Sequence, residues 1–168
     1  DDQAWRIEIK KYPRLVAESS QRPAMDDMQY TSPGFYTQDE MRELVDFAAQ
    51  HHIMVIPEIE MPGHEVAAIH AYPQLTVGNK KVPVRTTSGV SNNLLNPASE
   101  FTYQFLFDVF DELAKVFPAP YVHLGGDEAG NPPLDDWTTD SACIALKEKL
   151  GITTRDRSEN WKLQKYMF

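Results

Sequence analysis

The chain has 168 residues, 42% of them hydrophobic, with 25 acidic against 16 basic residues and a formal charge of −9. That length suits one ordinary core, and the apolar fraction is that of a globular protein. The negative balance disfavours nucleic acid and anionic membranes as partners. A single cysteine, Cys143, excludes an intramolecular disulfide. No run of about 18 apolar residues is present to span a membrane, and no signal peptide is visible.

Trp5-Arg6-Ile7-Glu8-Ile9 alternates apolar and polar residues and reads as a short extended segment. Residues 19–36 are rich in Ser, Gln, Pro, Asp and Gly, include Tyr30, and read as a loop. Thr37-Gln38-Asp39-Glu40 is a capping box. It predicts a helix to about His51 with Met41, Leu44, Val45 and Ala48 as the buried stripe. His51 and His52 fall at its C-terminal end, where a protonated imidazole favours the helix dipole.

Ile53-Met54-Val55-Ile56 is a continuous apolar run, suited to a strand buried on both faces. Glu58 and Glu60 share parity and point to one side if the strand continues. Pro62-Gly63 turns the chain and presents His64. The run His64-Glu65-Val66-Ala67-Ala68-Ile69-His70 is not H-E-x-x-H, so zinc is unsupported.

A helix is expected over about 65–71, closed before Pro73. Residues 74–96 form a long polar loop, able to wall a cleft or simply to run over the surface. Asn96-Pro97 predicts an N-cap with proline at the first helical position. The helix then runs to about Phe117, with Phe101, Phe105, Val109, Leu113 and Phe117 as its core stripe, widened by Leu106 and Phe110. After a strand at 121–124 and a loop through Asn131-Pro132-Pro133, helices are expected at about 141–150, closed by Gly151, and from about Ser158.

The stretch that organises the chain is Tyr121-Val122-His123-Leu124-Gly125-Gly126-Asp127-Glu128-Ala129-Gly130. A short apolar strand runs into two glycines and then two adjacent carboxylates. Neighbours on a regular strand point to opposite faces. Asp127 and Glu128 therefore face one ligand only if the chain bends, and Gly125-Gly126 allow the bend. The alternative is an acidic turn after an ordinary strand.

The alternation of strands and helices argues for an α/β fold of βα units with a parallel sheet. The acidic residues fall at the C-terminal ends of the strong strands, where (β/α)8 barrels carry their sites.

Three stretches resemble glycoside hydrolase family 20, the β-N-acetylhexosaminidases. His123-Leu124-Gly125-Gly126-Asp127-Glu128 matches the family's H-x-G-G-D-E. Asp1-Asp2-Gln3-Ala4-Trp5-Arg6-Ile7 resembles its D-D-Q-x-W-R-I. Pro57-Glu58-Ile59-Glu60-Met61-Pro62-Gly63-His64 resembles its P-E-[IF]-[DE]-x-P-G-H. A bare G-G-D-E also occurs in diguanylate cyclases, but that motif continues with Phe, where Ala129 stands here.

The resemblance implies a (β/α)8 TIM barrel. A whole barrel takes roughly 250 residues, so the expectation for 1–168 is one incomplete domain. It would run from about the end of strand 2 through helix 4, with apolar edges that self-association could cover. The opening on Asp1-Asp2, inside a motif and without a methionine, fits that expectation.

The implied activity is retaining hydrolysis of terminal β-linked N-acetylglucosamine or N-acetylgalactosamine, with the substrate's own acetamido group as nucleophile. By resemblance Glu128 is the general acid and base, Asp127 orients the acetamido group, and Asp1 and His64 form a supporting pair. Two carboxyls side by side raise one another's proton affinity, which suits a proton donor.

Trp137 is a candidate for stacking on a sugar; packing beneath a loop is the commoner use of such a residue. The implied partners are amino-sugar glycans or chitooligosaccharides, with no cofactor and no metal. The implied compartment of the parent protein is periplasmic, secreted or lysosomal. The family's first-strand arginine and its late tryptophans, Tyr, Asp and Glu have no counterpart here. Two other readings stay open: a non-catalytic carbohydrate-binding remnant, and a metal-assisted hydrolase using Glu58, Glu60, His64 and Asp127.

Overall fold

The computed structural model describes residues 2–22, 24, 32–129, 136–153 and 157–168. Asp1, Tyr30 and the loop through Asn131-Pro132-Pro133 lie outside the described residues. Six α-helices run in chain order: α1 Arg14–Ser19, α2 Gln38–Gln50, α3 Val66–Ala71, α4 Glu100–Ala114, α5 Ser141–Lys149 and α6 Asn160–Met167.

α2 begins where its capping box predicts. Thr37 accepts from the Glu40 amide, and Glu40 reaches back to the Thr37 amide, so two orphan donors are satisfied together. It ends in a Schellman turn: the Ile53 and His52 amides donate to the Ala48 and Ala49 carbonyls as His52 adopts φ +59°. α5 is capped by Asp140, which accepts from Ala142 and Cys143.

α4 starts later than Asn96-Pro97 suggests. The Asn96 side chain accepts from the Ala98 amide at 2.9 Å, closing a local turn instead of a helix. Helical backbone begins only after Ser99. The α4 stripe is core as expected: Phe105, Leu106, Val109 and Leu113 are all buried. The Phe105 ring lies 4.8 Å from Tyr12 and 6.2 Å from both Trp5 and Tyr72, tilted or edge-on, a favoured aromatic geometry.

The expected strands exist as extended backbone with little ladder. One parallel bridge joins Ile7 to Tyr36, and another joins Glu58 to His123. The second is the longer contact: His123 donates to Pro57, Ile59 to His123, and Met61 to Leu124, at 2.9–3.1 Å. Among the described residues the only paired strands are β1 Gln21–Arg22 and β2 Ser32–Pro33, two antiparallel residues each.

Burial of the apolar runs also departs from expectation. Ile53, Met54, Ile56, Tyr121 and Val122 are exposed, and Leu44 and Phe47 of α2 with them. The physical reason is coverage. Segments 57–61 and 123–124 pair with each other, and no described segment packs over 53–56 or 121–122 from the other side. Leu44 faces an open apolar cavity of about 360 Å³ between residues 4–7 and 55–60.

The long loop 74–96 is tied at both ends. Thr76 bridges Leu95, the Asn96 amide donates to Leu75, and the Leu95 amide donates to Pro62. Its middle folds back on the N-terminus, where the Gln3 amide group donates to the Thr87 carbonyl and Arg85 reaches Asp2.

Candidate active site

The site forms where the 57–64 and 123–128 segments run side by side. Their parallel pairing places Glu58 and Glu60 on one flank and the glycine pair on the other. Gly125 and Gly126 take φ +63° and +112°, conformations that only glycine adopts freely. The chain bends there, as Asp127 and Glu128 require. Glu128 and His64 themselves have φ +56° and +53°, an uncommon left-handed backbone for side-chain-bearing residues.

The bend brings both carboxylates to one imidazole. His64 Nε2 lies 3.2 Å from Glu128 Oε2 and 3.7 Å from Asp127 Oδ2. On the other side of the ring, Nδ1 lies 3.6 Å from Asp2 Oδ2. A carboxylate behind a histidine orients the ring and stabilises its protonated form. The residue in that place is Asp2; Asp1, assigned to it by resemblance, lies outside the described residues. The adjacent acid of the same Asp1-Asp2 pair was the available sequence signal.

Asp2 is almost fully buried and well held. It accepts from Arg85 Nη1 at 3.0 Å and from the Val66 amide at 3.2 Å. Arg85 was not singled out by sequence, because it lies in a polar loop more than eighty residues away. Its guanidinium also donates to the Gly89 and Ser88 carbonyls, so the loop locks the Asp2 carboxylate in place.

Glu60 Oε1 accepts from the Gly126 amide at 2.6 Å. Burial raises the Glu60 carboxyl to about 7, and the nearby Asp127 charge and a side-chain hydrogen bond to Asp127 push the same way. Glu58 pairs with His123 Nδ1 at 3.2 Å. Glu58, Glu60, His64 and Asp127 line an open cleft of about 450 Å³, within the size range of small-molecule sites.

Trp137 is elsewhere. It is 1% exposed, and its indole N–H donates to the Leu95 carbonyl at 3.1 Å. Its ring packs under the 74–96 loop instead of offering a face to a sugar. His64, Asp127 and Glu128 each turn a donor atom to within 4.8 Å of the others. That spacing is compatible with a cation, while the hydrogen-bonding distances within the group account for it directly.

Two adjacent carboxyls at one end of a cleft, with a carboxylate-backed histidine against one of them, define an acid–base site of the kind that cleaves glycosidic bonds. Comparison with known proteins gives the family. The pattern for glycosyl hydrolase family 20, catalytic domain, matches residues 1–167, and the chain belongs to that family.

A β-hexosaminidase of Porphyromonas gingivalis is 47% identical over 143 residues, covering 85% of this chain and 18% of the relative. One from Vibrio furnissii is 40% identical over 162 residues, covering 91% of this chain and 26% of the relative. A β-N-acetylhexosaminidase crystal structure superposes with a TM-score of 0.87 at 36% identity, over 99% of this chain and 35% of that one. The exo-β-N-acetylglucosaminidase of Vibrio harveyi in complex with N-acetylglucosamine superposes with a TM-score of 0.77 at 38% identity, over 98% of this chain and 26% of that one. These likenesses establish the α/β, TIM-barrel-like fold. The chain spans about a fifth to a third of the length of the relatives it matches.

Proposed function

We propose that this chain carries the acid–base half of a β-N-acetylhexosaminidase site. The activity is removal of terminal β-linked N-acetylglucosamine or N-acetylgalactosamine from glycans or chitooligosaccharides, with retention of configuration. The observation that carries the reading is the line Asp2–His64–Glu128, at 3.6 and 3.2 Å.

Glu128 is the general acid. It protonates the glycosidic oxygen as the acetamido oxygen of the substrate attacks the anomeric carbon, giving an oxazolinium intermediate. It then takes a proton from the water that opens that intermediate. Asp127 accepts the acetamido N–H and balances the positive charge that develops. His64, oriented by Asp2, tunes Glu128.

The domain reading that accompanies this function is a single incomplete barrel over 1–168, from about the end of strand 2 through helix 4. The parallel contacts at Ile7–Tyr36 and Glu58–His123 and the exposed Ile53, Met54, Ile56, Tyr121 and Val122 support it. Such a face is covered in a working barrel, by further strands or by self-association.

The test is hydrolysis of a chromogenic β-N-acetylglucosaminide by the 168-residue chain, with Glu128→Gln beside it. Turnover by the wild type and at least a hundredfold loss in the variant are expected. Equal activity of the two overturns the assignment of Glu128. Binding of N-acetylglucosamine without turnover, undiminished in the variant, favours the carbohydrate-binding reading instead.

A further inference from the structure

Glu60 has no role in the acid–base step described above, yet it is the most enclosed carboxyl of the cleft's lining. Its seat is a specific one. A Cβ at Gly125 would fall 1.7 Å from Glu60 Oε2 and 2.1 Å from its Cδ. Any residue but glycine at 125 therefore occupies the space where this carboxyl lies. The Gly126 amide then binds Glu60 Oε1 at 2.6 Å. The far side of the same turn is held by Gln164 of α6, whose side-chain amide donates to the Gly126 carbonyl at 2.6 Å. Phe168 closes over Gly126. The turn that delivers Asp127 is thus clamped between Glu60 and α6.

We propose that Glu60 and Asp127 share one proton, and that Glu60 is the positioning residue that fixes the Asp127 carboxylate through that shared hydrogen bond. Two ionised carboxylates repel and cannot hydrogen-bond each other; one of the pair must carry a proton. Glu60 is the more enclosed of the two, with its other oxygen already engaged by the Gly126 amide, whereas Asp127 is largely open to solvent. The proton resides on Glu60, which donates to one Asp127 oxygen and leaves the second free to accept from a ligand. The raised affinity of Glu60 for its proton agrees with this arrangement. The other titratable groups facing Glu60 are His64 and Glu65, with Glu58 on the same cleft wall.

The catalytic consequence rests on the proposed function; the shared proton does not. Above neutral pH Glu60 ionises, the hydrogen bond is lost and Asp127 is pushed away. For a substrate bearing a 2-acetamido group, KM then rises with pH while Glu128 is unaltered. Glu60→Gln retains a neutral donor toward Asp127 and an acceptor for Gly126, so in that variant the basic limb of KM moves to higher pH. Glu60→Ala loses the donor at every pH.

The deciding experiment is site-resolved carboxyl ¹³C NMR titration of the chain, as wild type, Asp127→Asn and Glu128→Gln. Glu60 is expected to titrate near neutrality in the wild type. Its midpoint should fall by about one pH unit or more in Asp127→Asn and move much less in Glu128→Gln. A Glu60 midpoint in the ordinary glutamate range, or one that ignores Asp127→Asn, overturns the proposal. Because titration needs no turnover, an inactive chain with a coupled pair refutes only the hydrolase reading, and an active chain with an uncoupled pair refutes only the shared proton.

Discussion

Glu65→Gln should stabilise the protein, and more so as pH rises. Glu65 sits at the start of α3, 1% exposed. Its Oε2 has no hydrogen-bond partner among the described residues. Burial pushes its carboxyl from 4.5 up to about 8, with the charges of Asp2 and Glu60 adding to the rise. Between those two values the folded chain holds a proton that the unfolded chain has released. Stability therefore falls as pH rises from about 4.5 to about 8 and is flat beyond.

One pH unit of such a difference is worth about 1.4 kcal/mol, which sets a ceiling of about 5 kcal/mol. Relaxation and water entry around an ionised buried carboxyl reduce the cost, and about 2–3 kcal/mol is the expected gain for the variant at pH 8.5. At pH 5 the gain should be below about 1 kcal/mol. The assay is urea unfolding followed by tryptophan fluorescence, wild type against variant, at both pH values. Glu60 contributes in the same direction, but it is present in both proteins and its share largely cancels. A difference that is equal at the two pH values, or a variant less stable at pH 8.5, refutes the reasoning.

Three further outcomes follow from the same coordinates. Gly125→Ala should cost about 1–2 kcal/mol in urea unfolding from its φ of +63°, and should drive the Glu60 carboxylate off the Gly126 amide, seen as a shifted Gly126 amide resonance. Phe105→Ala removes the ring at the centre of the Trp5, Tyr12 and Tyr72 cluster and should cost about 3–5 kcal/mol by the same assay. Asp2→Asn should lower kcat and destabilise the chain by about 3 kcal/mol, because Arg85 loses its buried charge partner; unchanged stability would mean that this pair does not hold the loop.

Local chemistry that lies within a few residues was legible in the chain. The capping box at Thr37–Glu40, the α4 stripe from Phe105 to Leu113 and the glycine bend before Asp127-Glu128 all appear where the sequence pattern puts them. Each depends on spacing within one element, and the physics that enforces it is a local hydrogen bond, a helical period or a backbone freedom. Family membership was legible for the same reason, since three short motifs occur in order. The start of α4 was missed because Asn96 spends its side chain on a turn, a choice between two local bonds of similar strength.

Everything that depends on which segments meet was decided by the tertiary structure. The apolar run Ile53–Ile56 reads as buried strand, but burial is a property of neighbours, and no described segment covers it. Trp137 could offer its ring to a ligand or to the core; the loop above it and the Leu95 carbonyl settle that in favour of the core. Asp2, Arg85 and Glu60 carry no signature of their own. Their significance comes from distances across eighty-three and sixty-six positions of chain. Sequence fixes what each side chain can donate, accept or bury, while only the folded path determines which donor meets which acceptor.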